Sequence, residues 1–95
     1  MKIFISGPMT GYANYNREEF FKAEKMFKDG GNIVLNPAYL PDGLKETEYH
    51  WLCRSMVDVV DAIYLLKGYE KSYGCQHELQ HAKDMGLIIL TEAVE

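Results

Sequence analysis

The stretch AIYLLKGYEKSYGCQHELQHAKDMGLIIL, Ala62–Leu90, decides the fold. Ala62–Leu66 (AIYLL) is a short apolar run, and Lys67–Tyr73 carries the glycine, serine and tyrosines of a loop. Gly74–Met85 then places Cys75, Leu79 and Ala82 on one helical stripe, with Gly86 as its stop and Leu87–Leu90 (LIIL) as another apolar run. Two unbroken apolar runs joined through an amphipathic helix make a strand–helix–strand crossover. Strands with no polar alternation are buried on both faces, so the sheet they form is parallel and covered by helices.

The same alternation extends to the amino terminus. Lys2–Ser6 (KIFIS) is a strand stopped by Gly7-Pro8. Asn16–Asp29 is a helix in which Asn16 caps, Glu19 follows three residues later, and Phe20, Ala23 and Phe27 share a face before Gly30-Gly31. Ile33–Leu35 is the second strand, closed by Asn36-Pro37, and Ala38–Glu46 is a loop. Thr47 caps a further helix whose Leu52, Met56, Val59 and Val60 form its apolar face. The expected architecture is an α/β sandwich with a four-stranded parallel sheet, Rossmann- or flavodoxin-like. Right-handed crossovers predict the strand order 2-1-3-4 and a switch point between the first and third strands.

Bulk properties narrow the function classes. Ninety-five residues, 47% hydrophobic and 25% charged, predict a single globular domain over 1–95. A net charge of −4 argues against a long nucleic-acid groove or an anionic membrane as partner, but a few N–H groups can still hold one phosphate. MKIFISG lacks the cleavage site of a signal peptide, and no apolar stretch approaches the ~20 residues of a membrane helix. Two cysteines without a leader are expected to stay thiols in a cytoplasmic protein.

Ligands of open parallel sheets sit beyond the carboxyl ends of the strands at the switch point. The loops converging there are Gly7–Tyr15, Asn36–Glu46 and Lys67–Gly74, the richest in Gly, Pro, Asn, Ser and Tyr. Ser72 and Gly74 open a helix, where free N–H groups and the positive dipole end suit an anion, and Glu78 follows on the same helix. The first loop has neither G-x-G-x-x-G nor G-x-x-x-x-G-K-[ST], which excludes a dinucleotide fingerprint and a P-loop, and Gly7-Pro8 reads equally as a strand-ending turn. Among the loop aromatics Tyr12, Tyr15, Trp51, Tyr69 and Tyr73, any could cover a purine or simply fill the core. Asp58 and Asp61 read as a helix stop, with Asp61 a weak site candidate at the wrong end of its strand. His50, Cys53, Cys75, His77 and His81 contain an i, i+4 histidine pair but no closed zinc set, so no metal is expected. Cys75 has no base fixed beside it and is not read as a nucleophile.

SGPMTG at the start, NPA after the second strand, and DAIYLL–loop–SYGCQHELQHA at the end resemble the nucleoside 2-deoxyribosyltransferase-like superfamily over nearly the whole chain. The likeness points to a small phage-associated branch that includes anti-Thoeris sponges. In the enzymes a glycine, a glutamate four residues on and a following alanine form the signature, matched here by Gly74, Glu78 and Ala82. That glutamate is the family's nucleophile at the sugar's anomeric carbon. The enzymes also carry an aspartate two residues before that glycine and another after the third strand. Ser72 and Lys67 stand at those positions here, so the acids that handle base and sugar are missing. Serine at position 72 is similar to the related deoxynucleoside-monophosphate glycosidases, where it contacts phosphate.

The resemblance therefore implies a homo-oligomer, dimer or tetramer, that sequesters a cyclic ADP-ribose-type nucleotide uncleaved, needs no cofactor, and blocks the Thoeris defence from the host cytoplasm. In that reading Ser72 and Gly74 hold phosphate, Glu78 accepts from ribose hydroxyls, and Tyr12, Trp51 or Tyr69 stacks on the purine. Ser6, Gly7, Pro8 and Met9 of the first loop and Asn36 and Pro37 of the second complete the lining. The rival is a nucleotide N-glycosidase or deoxyribosyltransferase with Glu78 as nucleophile; a third reading is a structural or regulatory phage protein.

Overall fold

In the computed structural model, which describes residues 1–92, strands and helices alternate along the chain. β1 (Lys2–Ser6), α1 (Arg17–Asp29), β2 (Ile33–Leu35), α2 (Glu46–Asp58), β3 (Ala62–Leu65), α3 (Tyr73–Asp84) and β4 (Ile88–Thr91) follow in that order. All strand pairs are parallel and the sheet order is β2-β1-β3-β4, as the crossover rule requires.

The centre of the sheet is fully hidden. Ile3 to Ser6 of β1 and Ala62 to Leu65 of β3 are all buried, and the pleat sends alternate residues to opposite faces. Ile3 and Ile5 meet Phe20 and Ala23 of α1, while Phe27 stands edge-on to Tyr64 at 4.8 Å. Phe4, Ile63 and Leu65 face the other way, against Cys53 and Val57 of α2 and Ala82 of α3. Each large side chain fully buried here contributes about 1.5–3 kcal/mol. The edges differ from the expectation of burial on both faces: Ile33 on β2 is 63% exposed and Ile88 on β4 is 49% exposed. A single helix, α1, packs on its face of the sheet, so cover runs out at the flanks.

Local details depart from the sequence pattern where a backbone group found another partner. Asn16 precedes α1 as expected, but in left-handed backbone (φ 63°) and without a capping bond; its amide donates to the Pro8 carbonyl at 3.0 Å. Asn14 and Tyr15 are also left-handed, at φ 50° and 53°. Such a run costs about 1–2 kcal/mol per residue, less for asparagine. Arg17 braces it, with its guanidinium 5.1 Å from the centre of the Tyr15 ring and donating to Asn14 and Asp42.

Thr47, the expected cap of α2, lies inside that helix. Glu48 takes over by accepting from the Lys45 N–H at 2.7 Å, half of a capping box. The buried stripe of α2 is Cys53 and Val57, with Met56 packed beside them and Val60 just beyond. Leu52 and Val59 turn outward, 41% and 52% exposed, because the sheet meets the helix one residue along from the pattern's choice. Asp61, exposed beyond the end of α2, accepts from the Lys2 N–H at 2.8 Å and pins the start of β1. α3 begins and ends one residue earlier than expected, and short 3-10 turns occupy parts of all three loops.

Gly7 carries the strand end past Leu66, whose N–H donates to the Ser6 carbonyl at 2.8 Å. A Cβ at Gly7 would stand 2.7 Å from Leu66 Cδ1 and 2.9 Å from its Cβ. Gly7→Ala is therefore expected to lower the unfolding free energy by about 1–3 kcal/mol, as overpacking does. Urea denaturation of the two proteins measures it; equal midpoints would contradict the contact.

Candidate functional site

Ser6 ends β1 on the face that Phe4 shares, looking toward α2 and α3. There its hydroxyl donates to Glu78 Oε1 at 2.6 Å. Glu78 sits in the second turn of α3, a helix whose start is fixed by Ser72: the Ser72 Oγ accepts from the Cys75 N–H at 3.3 Å. Cys75 and, from α2, Cys53 are buried beside this contact. Five small polar groups, Ser6, Cys53, Ser72, Cys75 and Glu78, are thus gathered where β1, α2 and α3 meet.

Burial sets the chemistry of this cluster. It pushes the Glu78 carboxyl up to about 7, with the Ser6 hydroxyl and the Cys53 thiol pulling the other way. Burial, then the nearby Glu78 charge, pushes the Cys53 thiol up. The Cys75 thiol is also raised by burial, against hydrogen bonds from Ser6 and Ser72. Both cysteines are free thiols that stay protonated at neutral pH, a poor state for nucleophilic attack. Glu78 is about half ionised at pH 7, so it serves as donor or acceptor, and only part of it is a carboxylate able to attack.

Two openings flank the cluster. Glu78 forms part of a cleft of about 30 Å³ between α2 and α3, with His50, Arg54, His77 and His81. The His50 and His77 rings stand edge to face at 5.3 Å, and His81 Nε2 pairs with Asp58 at 2.6 Å. A larger cavity, about 370 Å³, lies beyond the ends of β1 and β3, lined by Tyr12, Asn16, Glu19, Leu66, Lys67, Gly68 and Glu92. That volume falls in the range of small-molecule sites. Leu66 belongs to the α1 face of the core, so the cavity and the Glu78 cleft lie on opposite faces of the sheet's end. The Gly7–Leu66 contact stands between them.

The expected binding residues divide accordingly. Ser6 and Glu78 meet, with Ser72 beside them as a helix cap and Gly74 exposed in open space. Gly7, Pro8 and Tyr12 converge on the third loop: a Cβ at Gly68 would lie 2.9 Å from the Tyr12 hydroxyl and 3.3 Å from Pro8 Cγ. Met9 packs against the α1-face core, and Tyr69 against the other. Trp51 is 64% exposed on α2, with the Arg54 guanidinium 6.0 Å from the centre of its ring. Asn36 and Pro37 line neither opening. Asn36 is buried, donating to the Phe20 carbonyl and Glu24 and accepting from the Ala38 N–H, so its amide is used within the fold.

The residues that sequence reasoning left out of the site are Cys53, His50, Arg54, His77 and His81 on one side, and Asn16, Glu19, Leu66, Lys67, Gly68 and Glu92 on the other. Cys53 had a signal in its spacing to Val57; Arg54 had none. Among the described residues, no three His, Cys, Asp or Glu side chains are gathered as a metal set, and no helix is long and apolar enough to cross a membrane.

Among solved structures the chain resembles a 2-desoxiribosyltransferase from Leishmania mexicana, with a TM-score of 0.78 and 19% identity. The match covers 99% of this chain and 65% of that one, and at such identity it is a likeness of fold. No curated protein matches significantly. A family model described as a domain of unknown function, DUF4406, matches residues 1–91.

The raised Glu78 carboxyl has a measurable consequence. Its proton is held more tightly in the folded state (about 7) than at the ordinary value of 4.5. The stability this adds is full below the lower value and is lost as pH rises through the upper one. Unfolding free energy is expected to fall between these limits by up to about 3 kcal/mol relative to Glu78→Gln. Urea titrations across pH test this; parallel profiles for the two proteins would contradict it.

Proposed function

The chain belongs to the DUF4406 family, and from the geometry of its site and its likeness in fold to a 2-desoxiribosyltransferase we propose that it binds a ribose-containing nucleotide and holds it without cleaving it. The observation that carries this reading is the state of Glu78. The side chain at the position of the transferases' nucleophile is tied to the Ser6 hydroxyl at 2.6 Å and pushed up to about 7. Among the described residues, no other carboxylate lines its cleft. Retaining glycoside hydrolysis calls for a second carboxyl group roughly 5–5.5 Å away to protonate the leaving group. Lys67 and Ser72 stand where the resembling enzymes carry their acids, and Ser72 is committed to capping α3. A pocket with the binding groups and without the acid favours occupancy over turnover.

The ligand we favour is of the cyclic ADP-ribose type. The cavity of about 370 Å³ beyond β1 and β3 has the volume of a small-molecule site and supports a ligand of nucleotide size. The resemblance to the phage-associated branch supplies the biological role: sequestration of the Thoeris signal in the host cytoplasm by a homo-oligomer. The fold likeness to a deoxyribosyltransferase supports a nucleotide-related function in general.

Calorimetric titration with cyclic ADP-ribose isomers tests this reading. Glu78→Ala is expected to weaken binding about tenfold or more, the cost of ~1–3 kcal/mol for a lost charged hydrogen bond. Ser6→Ala, which removes only the partner hydroxyl, is expected to weaken it less. Binding unchanged in the double variant would overturn the site. Steady release of free base by the wild type, abolished in Glu78→Ala, would replace the reading with an N-glycosidase.

A further inference from the structure

All three histidines of the chain, and one of its two arginines, lie on the cleft between α2 and α3. Arg17, the other arginine, is spent on Asp42. Arg54 forms no salt bridge among the described residues; its cationic head rests near the Trp51 ring. The acids around it are already engaged: Asp58 with His81, Glu48 with the Lys45 N–H, and Glu78 with Ser6. His50 and His77, one from each helix, meet ring to ring and make no hydrogen bond among the described residues. The cleft therefore holds the fixed positive charge of Arg54 and two imidazoles without hydrogen bonds among the described residues, beside the carboxyl group of Glu78.

We propose that this cleft is a phosphate-recognition subsite, in which the Arg54 guanidinium and the His50 and His77 imidazoles bind a phosphate or pyrophosphate group beside Glu78. The chemistry selects an oxyanion with several oxygens. A guanidinium fork gives two parallel N–H donors, and the imidazoles of His50 on the same helix and His77 on α3 reach the remaining oxygens. A metal ion is disfavoured by the fixed charge of Arg54 in the same cleft and by the lack of a third ligand group. The cleft itself, about 30 Å³, admits only one phosphate oxygen or a water, so the group sits at its mouth, in line with the exposed Trp51. As the phosphate-binding part of a nucleotide site, the proposal rests on the function given above for the identity of the whole ligand. The anion subsite can be tested without it.

Trp51, the only tryptophan, stands 6.0 Å from both the Arg54 guanidinium and the His50 ring, so its emission reports on the surroundings of those two residues. Inorganic pyrophosphate titrated into the full chain is expected to change Trp51 fluorescence saturably. Arg54→Ala should weaken the midpoint at least tenfold, and Arg54→Lys should recover part of the loss; circular dichroism and melting temperature confirm that these exposed-site variants fold. His50 and His77 ring resonances are expected to shift over the same concentration range. No saturable response up to millimolar pyrophosphate, or equal midpoints for wild type and Arg54→Ala, overturns the subsite. A parallel titration with ADP-ribose and adenosine separates the two proposals. ADP-ribose binding that Arg54→Ala leaves within twofold overturns the subsite and leaves nucleotide binding standing. Arg54-dependent pyrophosphate binding with no response to cyclic or linear ADP-ribose supports the subsite and overturns the nucleotide reading.

Discussion

The hydroxyl of Ser6 and the carboxyl of Glu78 meet at 2.6 Å where the central strand ends against the last helix, and the candidate site is organised around that contact. Ser6 is fully buried, so its hydroxyl needs a partner, and the helix supplies one. Glu78 in turn is a carboxyl group taken largely out of water, which raises its proton affinity to the neutral range. Of the two buried thiols beside it, that of Cys53 hydrogen-bonds the carboxyl group and offsets part of the rise. The contact of Ser6 with Glu78 also ties β1 to α3 across the core, so chemistry and architecture share one constraint.

A second constraint is the close approach of Gly7 and Leu66. It extends the pairing of β1 and β3 by one step and separates the openings on either face of the sheet's end. The larger cavity, walled by Tyr12 and Leu66, is rimmed by the left-handed turn that ends at Asn16. That turn is strained, and Arg17 holds it from both sides through Tyr15, Asn14 and Asp42. Strained backbone held by neighbouring contacts at the edge of a cavity is a common device for keeping a binding surface in one shape.

Much of the fold was legible because its central strands are short unbroken apolar runs between glycines and prolines. The β2-β1-β3-β4 order follows from right-handed crossovers once α1 covers one face of the sheet and α2 and α3 the other. The register of α2 was only half legible. Of the expected stripe Leu52, Met56, Val59 and Val60, the structure buries Val60 and packs Met56, but takes Cys53 and Val57 in place of Leu52 and Val59, a choice between neighbouring stripes that only packing makes. The left-handed turn was hidden too, because asparagine tolerates that backbone but Tyr15 gives no sign of it. In the site, Glu78 was legible from its spacing to Gly74. Asn36 looked like a loop ligand, yet its amide is consumed by Phe20, Glu24 and Ala38. The meeting of His50 with His77 could not be read at all, since nothing in a single sequence says which turn of α2 faces which turn of α3.

The function proposed for this pocket is to capture a nucleotide and leave it whole. The most direct measurement incubates the protein with cyclic ADP-ribose isomers, ADP-ribose and deoxynucleoside monophosphates, filters away free ligand, denatures the protein by heat and separates what is released. A cyclic isomer depleted from solution and returned intact on heating is the predicted result. Free base or a ribosyl phosphate accumulating beyond one equivalent of protein would contradict it.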